Sequence, residues 1–245
     1  MLLRRDGDDV IAIGQPAHAW LSGQLARAWG NAAFGAVEPW EEVCLGAEQH
    51  DAGLAAWERA PTLNPETGLP RSFIELTLDE HLAAWSSAAP LVLAQSRYAA
   101  LLVSMHGTAL YERRDLNRLP PADADRIRAF LAAQRALQAD LVASLDAPEA
   151  QVRRNQRLVW TWDSLSLGLL LGWAPYELRA VPTADGEVDL AVGADTLEPW
   201  PFVADRVALR SEGRRLRGRF GDEPAMRAAL AAAPWEAIAI ELRRR

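Results

Sequence analysis

The segment LVWTWDSLSLGLLLGW, residues 158–173, carries one charged side chain, Asp163, inside a helical pattern that is apolar on almost every side. A helix of this kind has to be covered by other elements over most of its circumference, so the chain must build a core around it. That core then contains a carboxylate. Burying an ionised carboxyl is costly unless a cation faces it. The chain has no lysine, and the nearest arginines, Arg153, Arg154 and Arg157, do not stand in an i, i+4 relation to Asp163. A metal ion is the partner this pattern favours, with an arginine from another helix as the alternative.

Length and charge narrow the rest. A chain of 245 residues, half of them hydrophobic, can bury one large core, with or without a smaller appendage. Thirty-three acidic against 26 basic residues leave a net charge of −7, which argues against nucleic acid or an anionic membrane as the main partner. The lack of lysine removes Schiff-base chemistry and a phosphate-cradling P-loop. Cys44 is the single cysteine, so neither an intrachain disulfide nor a cysteine-rich zinc site is expected. MLLRRDGDDVIAIG has an acidic cluster where a signal peptide needs its apolar run, and no stretch has about 18 uninterrupted apolar residues. A cytoplasmic protein is expected. A homodimer is left open.

From Pro16 to about Trp173 the pattern is helical, broken by short Pro- or Gly-containing segments. AHAWLSGQLARAWG stops at Gly30, and PWEEVCLGAEQHDAGLAAWERA makes a second helical region bent near Gly46 or Gly53. Residues 61–73, with three prolines and a glycine, predict an irregular loop. Thr77 and Glu80 have capping-box spacing at the start of the next helix. APLVLAQSRYAALLVSMHG reads as a continuation stopping near Gly107, followed by helices over about 122–145 and 148–172. After Trp173 the texture alternates. YELRAVPTADGEVDLAVG predicts a hairpin turning at Asp185-Gly186, VALRSEGRRLRGRF a further strand pair, EPAMRAALAA a short helix and WEAIAIELRRR a closing strand. The expected fold is mainly α: a helical domain over residues 1–173 and a small β-rich (α+β) subdomain over 174–245 packed on it.

Four histidines complete the picture: His18, His50, His81 and His106. His50 stands directly before Asp51, and His18, His106 and Asp163 fall on separate predicted helices. Imidazole and carboxylate suit a catalytic divalent ion that keeps positions open for water or substrate. The order His18, His50-Asp51, Asp163 resembles the H…HD…D signature of the HD-domain superfamily of metal-dependent phosphohydrolases. His81 and His106 resemble the extra histidines of members that bind two ions. QPAHAWLSGQLARAWG, QHDAGLAAWERAPTLNPETGLPRSF, SRYAALLVSMHG, WDSLSL and PWPF resemble the DUF3891 family, over most of the chain.

The HD resemblance implies a helical bundle in which His18, His50, Asp51 and Asp163 hold a divalent ion, Mn²⁺, Fe²⁺, Zn²⁺ or Mg²⁺. Asp51 and His106 would then be catalytic, with His106 and His81 as second-metal or supporting residues. Arg71 and Arg97 are candidate clamps for a small anionic substrate, because guanidinium contacts phosphate bidentately. The activity implied is hydrolysis of a small phosphorylated metabolite or nucleotide. Two rivals remain: an HD-like module that binds metal or ligand without turnover, and a structural or partner-binding module using the β-rich end.

Overall fold

Gly7, at φ +62°, and Asp8 form a two-residue turn between Leu2–Asp6 (β1) and Asp9–Ile13 (β2), an antiparallel pair whose Leu2, Val10, Ile11 and Ile13 are buried. In the computed structural model, which describes residues 1–244, this hairpin does not stand alone. β2 pairs with a long strand near the other end of the chain, Arg206–Leu216 (β8), and β8 pairs in turn with Trp235–Arg243 (β9). The result is an antiparallel four-stranded sheet of order β1-β2-β8-β9.

Seven helices precede the C-terminal strands. Pro16, whose ring favours the first helical turn, opens Gln15–Ala28 (α1) after Gly14. Trp40–Gln49 (α2) and Leu54–Glu58 (α3) follow, with the corner at 50–53 between them. The stretch 61–73 holds a miniature hairpin, Leu63–Asn64 (β3) with Leu69–Pro70 (β4), and leads into a 3₁₀ turn at Phe73–Glu75. Leu78–Leu93 (α4) starts at the Thr77/Glu80 capping box, both halves of which are formed. Arg97–Glu112 (α5), Pro121–Leu145 (α6) and Glu149–Leu171 (α7) complete the set. Beyond α7, Tyr176–Pro182 (β5), Glu187–Val192 (β6) and Leu197–Glu198 (β7) make a three-stranded sheet, and Glu223–Ala232 (α8) lies between β8 and β9. α1 is the hub, packed against α2, α7 and β8.

The expectation of a mainly-α bundle is overturned. The molecule is 51% helix and 21% strand with three antiparallel sheets, a mixed α/β protein. β1 and β2 pass unread in the sequence because the partner that turns them into a sheet lies some two hundred residues downstream, and a lone hairpin is marginal in water. The four-stranded sheet also joins strands from both sides of residue 173, where the helical and β-rich parts were expected to divide. Within the helices, APLVLAQSRYAALLVSMHG is two elements: Ser96 caps α5 by accepting from the Ala99 N–H. Gly107 does not end α5. It admits the Trp85 ring to within 2.9 Å of where a Cβ would stand. VALRSEGRRLRGRF is one strand paired on both edges rather than a strand pair.

Candidate metal centre

The residues that converge here come from four helices. His18 lies in the first turn of α1. His50 ends α2, and the tight corner after it, with the Ala52 N–H donating to Gln49 O and the Leu54 N–H to Asp51 O, points both His50 and Asp51 inward. His106 comes from α5 and Asp163 from the middle of α7. All are buried, His50 completely.

The distances are short and mutual. His18 Nε2 lies 3.0 Å from Asp163 Oδ1, 3.5 Å from Asp51 Oδ2 and 3.2 Å from His50 Nε2. His50 Nε2 is 3.4 Å from Asp163 Oδ1 and 3.5 Å from Asp51 Oδ2, while His106 Nε2 is 3.7 Å from Asp163 Oδ2. The outer nitrogens are anchored. His50 Nδ1 sits 2.8 Å from Ala47 O, which can only accept, so the ring proton of neutral His50 is on Nδ1 and its Nε2 carries a lone pair. His18 Nδ1 is 2.6 Å from Ser166 Oγ, and Ser166 Oγ is 2.9 Å from Asp163 O. With the Ser166 proton given to that carbonyl, His18 also holds its proton on Nδ1.

In that arrangement two imidazole lone pairs and two carboxylate oxygens face one another with no proton between them. Only a cation relieves this, either a proton taken up by an imidazole or a metal ion. The spacing suits the ion: ligands at about 2.1 Å from one centre are about 3.0 Å apart at right angles and about 3.4 Å apart in a tetrahedron. His18, His50 and Asp163 form one group that can hold a metal ion, and His50, Asp51 and His106 form another.

The family model described as "Protein of unknown function (DUF3891)" matches residues 1–218. The chain belongs to DUF3891. No curated protein and no solved structure matches it.

The electrostatics of the DUF3891 centre follow from its crowding. Burial alone would lower His50, but the Asp51 charge and the Asp163 hydrogen bond outweigh it and hold the imidazole well above its ordinary range. Burial likewise opposes ionisation of Asp51 and Asp163. The His50 charge overcomes it at Asp51, and hydrogen bonds from His18 and His50 do so at Asp163, leaving both carboxyls below their ordinary range. In other words, a proton on His50 stands in for the cation. His106 goes the other way, to about 4, because of burial and the neighbouring His50 charge.

A cavity of about 110 Å³ opens onto these groups, lined by His18, Asp51, His106 and Asp163 and walled by Leu54, Phe73, Trp85, Leu110 and Leu167. Two buried polar atoms among its lining residues, Gln15 Oε1 and His106 Nδ1, have no hydrogen-bond partner in the protein.

His81 lines the same cavity but does not join the cluster. Its Nε2 accepts from the Trp85 indole N–H (3.1 Å) and its Nδ1 is hydrogen-bonded to the Tyr111 hydroxyl, while burial and the nearby Arg114 push it down to about 4. Arg71 is committed elsewhere, making a two-pronged pair with Glu80 and donating to Glu75 O. Arg97 donates to Ser144 O at the end of α6. Neither arginine lines the cavity.

Sequence reasoning passed over Ser166, Ser22, Gln15 and Phe73. Ser166 had a readable signal, since it stands one helical turn after Asp163 and so shares its face.

Proposed function

We propose that this centre binds a divalent metal ion in the manner of HD-domain proteins, and that the protein is a metal-dependent phosphohydrolase acting on a small phosphorylated metabolite or nucleotide. One observation carries the reading: His18 Nε2 and His50 Nε2 each lie within 3.5 Å of Asp51 Oδ2 and Asp163 Oδ1, and His18, Asp51 and Asp163 line a cavity. A mixed nitrogen and oxygen donor set suits Mn²⁺, Fe²⁺ or Zn²⁺ better than Mg²⁺, which prefers oxygen and water.

An ion held by these four residues would supply Lewis acidity there, enough to lower the pKa of water and polarise a phosphoryl oxygen. The protein's own groups divide the remaining work. Asp51, whose Oδ2 lies 3.5 Å from both His18 Nε2 and His50 Nε2, would take the proton of the attacking water. His106 stays neutral near pH 7 and has its unpartnered Nδ1 available to a phosphoryl oxygen. Trp85, Leu54, Leu110 and Leu167 keep bulk water away from the reacting group.

A second reading, a DUF3891 module that binds metal or ligand without turnover, draws support from the lack of any arginine among the residues lining the cavity. Elemental analysis of the purified protein, with a phosphomonoester and phosphodiester panel in added Mn²⁺, separates the two. The hydrolase requires a stoichiometric ion and turnover, both lost in His50→Ala and Asp163→Ala. Metal without turnover leaves the binding module, and unchanged metal content in both variants overturns the centre itself.

A further inference from the structure

The cavity at the metal centre is too small for a whole substrate. Its 110 Å³ compares with about 30 Å³ for one water and with about 300 Å³ or more for an ordinary small-molecule site. It has room for a phosphoryl group and little else, so the organic part of any phosphate ester must lie beyond its walls. Two neighbouring cavities touch those walls.

The first, about 370 Å³, shares Asp51. It also presents Glu48, which pairs with Arg27, and its lining has no basic residue to receive an anion. The second, about 580 Å³, shares Phe73. It runs between the β1–β2 hairpin, the 67–75 segment and the end of α7, and is lined by Leu3, Val10, Leu69, Ile74 and Trp173 together with Arg5 and with Glu75, whose carboxylate accepts from the Ser72 N–H and the Asn64 amide. Ile74 is 79% exposed and Trp173 50% exposed, two of the few large apolar side chains left uncovered. Arg5 makes no ion pair among the described residues, which gives this groove a cation at its edge.

Phe73 is therefore the partition between the two spaces. Its backbone is firmly held: Ser72 and Glu75 form a capping box around the turn, the Phe73 N–H donates to Met1 O (3.0 Å), and Arg71 ties the Glu75 carbonyl to Glu80. Its half-buried side chain, packed at the margin of the core, is the part that a rotamer change can move without backbone movement.

Building on the phosphohydrolase reading, we propose that the groove seats the organic group of a phosphate ester of an apolar, aryl or alkyl alcohol, and that Phe73 is the specificity-determining gate between this group and the metal centre. In the hydrolysis, water forms the new P–O bond and the ester P–O bond breaks. The alcohol takes a proton and leaves through the groove.

The test uses the Mn²⁺-loaded full-length protein and calorimetry with two non-hydrolysable probes, methylphosphonate and 1-naphthylmethylphosphonate. The naphthyl probe is expected to bind at least about tenfold more tightly, about 1.4 kcal/mol. Ile74→Asp and Trp173→Ser, both at exposed positions, should shrink that ratio to within about threefold while bound Mn²⁺ per chain stays the same. In stopped-flow mixing, Phe73→Ala should speed association of the naphthyl probe more than that of methylphosphonate, and equal effects on the two would overturn the gate. Equal affinities for the two probes, or a ratio that survives both groove variants, would overturn the groove assignment alone. Failure of either probe to bind a protein that holds Mn²⁺ would overturn the phosphohydrolase reading and the groove together.

Discussion

Ser166 offers the sharpest test of the metal centre because it meets the outer nitrogen of one ligand without touching any of the proposed donor atoms. Its Oγ lies 2.6 Å from His18 Nδ1, also meets Ser22 Oγ at 2.9 Å, and reaches the Asp163 carbonyl at 2.9 Å. Ser166→Ala removes the group that fixes the proton on Nδ1 and holds the ring plane, so His18 becomes free to carry its proton on Nε2 and hydrogen-bond Asp163 instead. Loss of such a supporting partner costs about 10- to 100-fold in metal affinity, or about 1.4–2.8 kcal/mol. In either tautomer the buried Nδ1 is left without a hydrogen-bond partner, which destabilises the metal-free protein by about 1–3 kcal/mol. Ser22→Ala is the control. It deletes a neighbour of Ser166 without touching the imidazole, and Ser166 retains its acceptor. Competition titration of Zn²⁺ or Mn²⁺ against a chromophoric chelator reads the affinity, and urea unfolding of the chelator-treated protein reads the stability. If Ser166→Ala binds metal within threefold of the parent, or if Ser22→Ala weakens binding as much, His18 is not oriented by this hydrogen bond and the ligand assignment of its Nε2 loses its support.

Two further outcomes follow from the packing and the charges around the centre. A Cβ on Gly53 would stand 2.0 Å from the backbone oxygen of Ala84, so Gly53→Ala must push α3 and α4 apart beside His50 and Asp51. A loss of about 1–3 kcal/mol is expected, read as a drop in melting temperature of about 2–4 °C per kcal/mol together with weaker metal binding; an unchanged melting temperature would show that the corner yields freely. The Arg71 hydrogen bonds hold Glu80 down to about 2 from an ordinary 4.5. Because the folded value is the lower one, the stabilisation is complete above about pH 4.5 and is lost as pH falls toward 2. Solvent screening limits it to about 0.5–1 kcal/mol. Glu80→Gln should therefore be less stable than the parent at pH 7 by that amount, with the gap closing between pH 4.5 and 2 in urea melts, and a gap that persists at pH 2.5 would refute the assignment.

The legible parts of the molecule are those whose signal is local. The α4 capping box at Thr77 and Glu80, the α6 and α7 spans, and the β5–β6 hairpin at Asp185-Gly186 each depend on residues within a few positions of one another. The illegible parts depend on distant partners. β1 and β2 acquire their structure from β8, and Gly107 reads as a helix stop until Trp85 is seen to fill the space beside it. Arg71 illustrates the same limit at the functional level. A lone arginine on a Pro-rich loop suggests an anion clamp, but its two-pronged pair with Glu80 makes it a strut for the Phe73 turn.

The amino-acid order by itself determined that Asp163 would be buried in an apolar helix without a lysine to meet it, and that four histidines were available to do so. Whether they did was a matter of tertiary packing. Hydrophobic burial brings α1, α2, α5 and α7 together with little regard for direction, and only the particular rotation of each helix sets His18, His50 and Asp163 within 3.5 Å of one another while turning His81 toward Tyr111 and Trp85. Helix rotation arises from how side chains of different elements interlock, and no window along the chain contains both halves of that fit.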